Sequence, residues 1–230
     1  MHVVIATTKT WNIKLAAEMA STSRSDEFCV ITKREELVDH FLAEFKPDYV
    51  FFPHWSWKIP REIFTKYPCV VFHMTDLPFG RGGSPLQNLI ARGISETKIT
   101  ALLATDELDA GDILLQHPLN LNGTAEEIFI RAAKIIFHEM IPYIIKERPI
   151  PSQQAGLVTH FTRRTPEMSE LHKEMTMEEI YDYIRMLDAE GYPPAFIRFG
   201  SFVLRFTRPK LTSKGIIADV SIEEVTEEDE

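Results

Sequence analysis

Through residue 149 the chain alternates short, almost unbroken apolar runs with amphipathic segments, and few architectures accept that pattern. HVVIAT precedes TWNIKLAAEMA, and FCVIT precedes REELVDHFLAEF. PDYVFF and CVVFH are nearly continuous in apolar residues, as strands covered on both faces are. SPLQNLIARG reads as a helix closed by glycine. TKITALLAT and DILLQHPLNL read as two further strands joined by DELDAG, and TAEEIFIRAAKIIFHEMIPYIIKE opens with a Thr and a Glu three residues on, the capping-box signature. The expected fold is α/β, a Rossmann-like, mostly parallel sheet with right-handed crossovers.

After Pro149 the texture changes. A long loop leads to one helix, TMEEIYDYIRMLDAEG, and then to two strand-like runs, AFIRFGSFVLRFTR and KGIIADVSIEEV. The expected division is therefore a catalytic domain over 1–150 and a C-terminal region over 151–230, with a small helix and a β-hairpin pairing about 196–208 with 215–224. Phe196, Phe202, Val203 and Phe206 are expected to form an apolar face there, serving either a homodimer or packing on the main domain.

The length of 230 residues is enough to bury a core without disulfides or metals. The two cysteines, Cys29 and Cys69, fall in strand-like runs and are expected to be reduced core thiols. No apolar run is long enough to cross a bilayer, and MHVVIATT reads as a strand rather than a signal peptide. The expectation is a cytoplasmic protein with no membrane partner. A formal net charge of −9 and the acidic ending DVSIEEVTEEDE, expected to be a frayed end, argue against a broad nucleic-acid surface. The Arg163-Arg164 pair could still grip one phosphorylated small molecule. GxGxxG, GxxxxGK[ST] and GxSxG are all absent, as are CxxC and any histidine pair at helical metal spacing, so no metal is expected.

Chemistry is most concentrated in VVFHMTDLPFGRGGSP, Val70 to Pro85. A strand should end at His73, and open α/β sheets place their ligands at the carboxyl ends of strands. The loop ELDAGD sets Asp109 between two candidate strands, two residues before a glycine that permits a tight turn. If those strands lie beside the one ending in His73, carboxylate and imidazole meet at one sheet edge. A carboxylate in that position favours the charged ring and fixes its orientation, a pair suited to proton transfer and to stabilising developing negative charge. A turn residue is the plainer reading of Asp109.

HMTDLPFGRGGSPLQNLIARG followed by TKITALLATDELDAGDILLQ resembles the core of the folate-dependent formyltransferases, whose pattern is close to NxHxSxLPxxRGxxP and then a DxG loop. His73 matches the catalytic histidine, Thr75 stands where serine is usual, and Leu77-Pro78, Arg81-Gly82, Pro85, Asp109 and Gly111 match in place. RRTPEMSEL, IYDYIRML and YPPAF resemble a second block, found in members that formylate nucleotide-linked amino sugars, and together the two span roughly residues 47 to 200. One position departs: the family asparagine two residues before the histidine falls on Val71, whose side chain donates nothing, and losing an oxyanion donor costs about 2.7–4 kcal/mol.

The resemblance implies transfer of a formyl group from N10-formyltetrahydrofolate to a primary amine, with His73 facing the oxyanion and Asp109 supporting it. His54, Ser56 and Lys58 in PHWSWK, together with Thr75, are candidates to replace the missing donor, while Trp55 and Trp57 could simply cover the sheet edge. The pterin would lie along the backbone of Leu102, Leu103, Ala104, Thr105 and Asp106. The expected partners are folate and a nucleotide-linked amino sugar, best a UDP-linked 4-amino-4,6-dideoxy-N-acetyl hexose of the pseudaminic-acid type destined for cell-surface polysaccharide. Its contacts would come from Arg81, Gly82, Gly83, Gln87, Asn88, Arg163 and Arg164. A dTDP-linked 4-amino-4,6-dideoxyglucose, or a weakly catalytic binding homologue, is the alternative. Initiator-tRNA formylation is set aside because the chain is short and acidic, and no nucleic-acid partner is expected.

Overall fold

The computed structural model describes residues 1–224. In chain order the elements are β1 (His2–Ala6), α1 (Thr10–Thr22), β2 (Glu27–Ile31), α2 (Asp39–Phe45), β3 (Tyr49–Phe52), α3 (Arg61–Phe64), β4 (Cys69–His73), β5 (Arg81–Gly82), α4 (Pro85–Ile90), β6 (Glu96–Leu103) and β7 (Ile113–Asn120). They continue with α5 (Ala125–Ile135), α6 (Ile141–Glu147), β8 (His160–Phe161), α7 (Met177–Arg185), β9 (Ala195–Phe199), β10 (Phe202–Thr212) and β11 (Gly215–Glu224). The fold is the expected mixed α/β one, with a mostly parallel Rossmann-like sheet and a C-terminal β region.

By packing, the chain divides into two compact units, Met1–Gly82 with Thr97–Leu119 and Ile130–His160, and Gly83–Glu96 with Asn120–Phe129 and Phe161–Glu230. The division is interleaved and does not fall at residue 150, because segments 83–96 and 120–129 join the later residues.

The first unit holds the large sheet, in the order β2-β1-β3-β4-β6-β7. β1 pairs in parallel with β2 and β3, β3 pairs in parallel with β4, and β4 meets β6 antiparallel. The apolar runs explain this: Val3, Val4, Ile5, Val50, Phe51 and Val70 are wholly buried, as strands covered on both faces require. Cys69 and Val71 share one face of β4 with His73, the alternation of any strand, and that face packs with Val4, Ala6, Val50 and Phe52. Burial pushes the Cys69 thiol up to about 12, so it behaves as a core thiol.

Two helices depart from the expected outline. REELVDHFLAEF breaks into a 3-10 turn, Arg34–Glu36, and α2. There the Glu36 carboxylate accepts from the Thr32 and Lys33 N–H groups, which closes the turn before β-branched Val38 runs extended. The long helix from Ala125 widens into a π segment at Ile136–Met140 before resuming as α6. Pro142 lies just beyond; it offers no N–H and its ring crowds the preceding turn, so the helix loosens there. Its capping box is present, with the Glu127 carboxylate accepting from Thr124 N–H at 2.9 Å and Glu127 N–H donating to the Thr124 hydroxyl at 3.3 Å.

In the second unit the expected hairpin is a three-stranded antiparallel sheet, β11-β10-β9, because AFIRFGSFVLRFTR turns at Gly200, whose φ of +60° suits glycine. The ending of the chain expected to fray is a strand up to Glu224, and residues 225–230 lie outside the described residues. The expected apolar face also divides. Phe202 and Phe206 register with Phe199, Val220 and Ala195 on one face, where Phe199 and Phe202 are exposed. Phe196 and Val203 lie on the opposite face and are buried, because adjacent strand positions alternate sides.

Candidate active site

His73 is the last residue of β4, and its side chain is only 8% exposed. Both ring nitrogens meet acceptors: Nδ1 lies 3.4 Å from the Asp109 carboxylate and Nε2 lies 2.8 Å from the Gly80 carbonyl oxygen. Thr75, wholly buried, directs its hydroxyl at the same carbonyl over a longer 3.5 Å. Its own carbonyl accepts from the Thr100 hydroxyl at 2.7 Å.

Asp109 occupies the left-handed region, φ +56°, in the turn between β6 and β7, a conformation Asp tolerates better than most residues. Its carboxylate accepts from the Gly82 N–H at 2.9 Å. Two residues on, a Cβ at Gly111 would stand 1.8 Å from the Leu103 carbonyl oxygen, so only glycine lets the turn close against β6. The expected meeting of His73 and Asp109 at one sheet edge is therefore present, and it depends on β4 and β6 being neighbours.

The candidates for a replacement donor scatter. Val71 registers with Phe52 on β3 and, half-buried, packs against the core. Ser56 is exposed, and Lys58 lines a shallow cleft with Arg34, Glu35, Leu37, Trp55 and Pro60. His54 is half-buried, with its ring edge-on to Trp11 at 6.1 Å. Burial, and then the Lys9 charge, bring its pKa down to about 4.

Of the expected pterin segment, Leu102 is wholly buried and the Leu103 and Ala104 N–H groups donate to the Asp112 and Cys69 carbonyls. Thr105 turns its hydroxyl to the Glu107 carbonyl, and exposed Asp106 pairs with Arg61 at 3.0 Å. The open part of the loop runs from Thr105 to Leu108, which is 68% exposed, and so overlaps the expected segment only at Thr105 and Asp106.

Several of the residues expected to bind a sugar nucleotide are engaged within the chain. The Arg81 guanidinium, 11% exposed, donates to the Gln154 amide oxygen from Nε and Nη2 and to Glu107 from Nη1. Gln87 is buried and donates to the Met186 carbonyl, and buried Asn88 donates to the Gly83, Ser84 and Thr162 carbonyls. Both sit in the first turn of α4, where sequence alone left a solvated face open. A Cβ at Gly83 would meet that of Arg163 at 2.6 Å, and the Gly82 N–H is taken by Asp109. Arg163 is exposed, whereas Arg164 stacks over Tyr183 at 5.0 Å and donates to the Met168 carbonyl. Gln154 escaped the sequence reading, since a lone glutamine in a loop carries no pattern. Among the described residues no group of three His, Cys, Asp or Glu could hold a metal ion, and no helix is long and apolar enough to cross a membrane.

The family model for formyl transferase matches residues 6–135, which contain both His73 and Asp109. The chain belongs to the formyl transferase family. A second model, for the C-terminal domain of methionyl-tRNA formyltransferase, matches residues 166–223. A solved methionyl-tRNA formyltransferase from Clostridium thermocellum is 53% identical, with a TM-score of 0.96, over 98% of this chain and 100% of that one. A methionyl-tRNA formyltransferase of Geobacillus sp. (strain WCH70) is 28% identical over 203 residues, 82% of this chain and 63% of its own length. One from Bacillus cytotoxicus is matched over 53% of its length, so the chain spans little more than half to three fifths of these curated relatives. A sugar N-formyltransferase from Shewanella sp shares the fold, with a TM-score of 0.67 over 98% of this chain and 96% of that one, but only 15% identity.

These relatives overturn the amino-sugar acceptor, with the pseudaminic-acid and polysaccharide setting it carried, and the exclusion of a nucleic-acid partner. The second sequence block, read as a mark of sugar enzymes, lies largely within the stretch matched by the methionyl-tRNA model. Net charge misled because it averages over the whole surface, while binding depends on local fields. What stands is membership of the formyl transferase family, and formyltransferases draw the formyl group from N10-formyltetrahydrofolate.

Proposed function

We propose that this chain transfers the formyl group of N10-formyltetrahydrofolate to the amino group of methionyl-tRNA. The observation that carries the reading is the 53% identity to the Clostridium thermocellum protein over essentially the whole of both chains. It is supported by the burial of His73 against Asp109. In this reading residues 1–150 carry the chemistry, residues 151–230 contribute support and acceptor contacts, and the reaction takes place in the cytoplasm.

Folate fits here, since residues 105–108 of the loop past Leu103 are exposed and Leu108 offers an apolar side chain to a flat heteroaromatic ring. Residues 104–108 would hold it, and when bound it supplies the activated formyl carbon. Asp109 fixes one nitrogen of the His73 ring, leaving the other to donate to the formyl oxygen in place of the Gly80 carbonyl. That donor acts where negative charge develops as the amine attacks. As the new C–N bond forms the amine loses a proton, for which the Asp109–His73 pair is the base, and a proton must reach N10 as the old bond breaks. Exposed Arg163 is a candidate for a phosphate of the tRNA.

The test is a mass-spectrometric assay of purified protein with N10-formyltetrahydrofolate and methionyl-tRNA, beside free methionine and uncharged tRNA. The expected result is a one-formyl gain on the methionine of methionyl-tRNA alone. Absence of that product in the presence of measurable folate binding would overturn the acceptor.

A further inference from the structure

Residues 152–159 run beside the site like a strap, with polar contacts to Pro78, Gly80 and Arg81 in the loop after His73 and to Asp109, Gly111 and Ile113 in the turn that carries Asp109. Ser152 exchanges backbone hydrogen bonds with Ile113 at 2.9 and 2.7 Å. Two residues on, the Gln154 amide nitrogen donates to both the Asp109 and the Gly111 carbonyls, each at 2.8 Å. The amide oxygen of Gln154 accepts from Arg81 at 3.1 and 2.8 Å. Arg81 directly precedes Gly82, whose N–H holds the Asp109 carboxylate. Thr159 completes the strap, its hydroxyl accepting from the Gly80 N–H at 2.7 Å and its carbonyl from the Arg81 N–H at 3.0 Å.

Asp109 is thereby gripped at both ends, its carboxylate by Gly82 and its main chain by Gln154, and Arg81 links the two grips. A primary amide suits this place, because it offers two N–H donors and a carbonyl acceptor at once. A carboxylate lacks the donors, an ammonium lacks the acceptor, and a hydroxyl has a single donor for the two carbonyls.

We propose that Gln154 is a positioning residue: it sets the Asp109 turn so that the carboxylate faces His73, without touching substrate. The inference rests on the formyltransferase reading, yet its test does not require the acceptor to be right. Gln154→Ala removes both functions, whereas Gln154→Glu keeps the acceptor for Arg81 and removes the donors to the two carbonyls. The ring-nitrogen signals of His73 are followed by NMR on protein labelled in histidine, assigned with His73→Ala, with Asp109→Asn as reference.

Both Gln154 variants are expected to shift the His73 signals in the direction of Asp109→Asn while leaving folate affinity unchanged. With methionyl-tRNA as acceptor, kcat is expected to fall on the order of 10–100-fold at unchanged KM, the scale of a misplaced catalytic group. His73 signals unmoved in both folded variants would overturn the proposal, as would Gln154→Glu behaving like wild type. Failure of methionyl-tRNA to react would remove only the acceptor assignment, because the NMR result is read without it.

Discussion

Two histidines lie at the carboxyl ends of neighbouring strands, His73 as the last residue of β4 and His54 two residues beyond β3, and they meet different surroundings. Phe52 on β3 registers with Val71 on β4, and His54 and His73 each lie two residues further on. Acceptors flank both nitrogens of His73, the Asp109 carboxylate and the Gly80 carbonyl. His54 instead has an aromatic edge from Trp11 and the nearby charge of Lys9, and its pKa is brought down to about 4. Strand-end position therefore makes a histidine available at the ligand edge, and its partners decide what it can do there. A ring with acceptors on both sides can hold a proton and present it. A desolvated ring beside a cation stays neutral at ordinary pH, where it offers one donor and one acceptor.

The most direct way to break the contrast is to remove His73 or its carboxylate partner. His73→Ala is expected to lower formyl transfer by about 10³-fold or more, the scale of a lost acid–base group combined with lost oxyanion support. Folate affinity, followed by fluorescence titration, should stay near wild type. Asp109→Asn keeps the shape and an acceptor for the Gly82 N–H, so a smaller loss of about 10²-fold is expected. Turnover within a few-fold of wild type in either variant would remove His73 and Asp109 from the mechanism.

Much of this comparison was legible in the sequence. The unbroken apolar runs announce β3 and β4, and the Gly/Pro cluster after His73 announces the end of a strand. The Asp109 turn was equally visible, because Asp followed closely by Gly111 is turn chemistry. What sequence could not supply was the partner of each polar side chain. Arg81, Gln87 and Asn88 have the composition of a ligand site, yet their partners are Gln154, Met186 and Thr162, 73 to 99 positions away in the chain. Likewise nothing local told Phe196 from Phe202, since the side taken in a sheet follows from register. The acceptor was illegible for a related reason: one fold carries many acceptors, and net charge reports no local surface.

Val71 offers a smaller and sharper test, because it sits two residues before His73 on the same strand face. Val71→Asn places a donor there and is expected to raise kcat by about tenfold or less, a partial recovery of one oxyanion donor. It should also cost about 1–3 kcal/mol of stability, because the amide enters packing shared with Phe52 and Cys69. Thermal unfolding measures that cost separately. A fall in kcat with the fold intact would mean that another group already donates at that point.

The smallest effect at neutral pH is expected at His54, and it takes the form of an acid dependence. Its folded pKa is about 4, below the ordinary 6.5, so the unfolded chain binds this proton more readily than the folded one. The contribution is complete above about pH 6.5 and is lost as pH falls towards 4, amounting to up to about 3 kcal/mol. His54→Gln keeps a polar side chain of similar reach and removes the titration. Urea unfolding at pH 7.5 and pH 4.5 should then show a smaller acid-induced loss for the variant than for wild type, with turnover at pH 7.5 changed by a few-fold at most. Equal acid losses in the two proteins would show that His54 is not held neutral by its burial. A large loss of turnover would bring it into the chemistry with His73 and dissolve the contrast between the two strand ends.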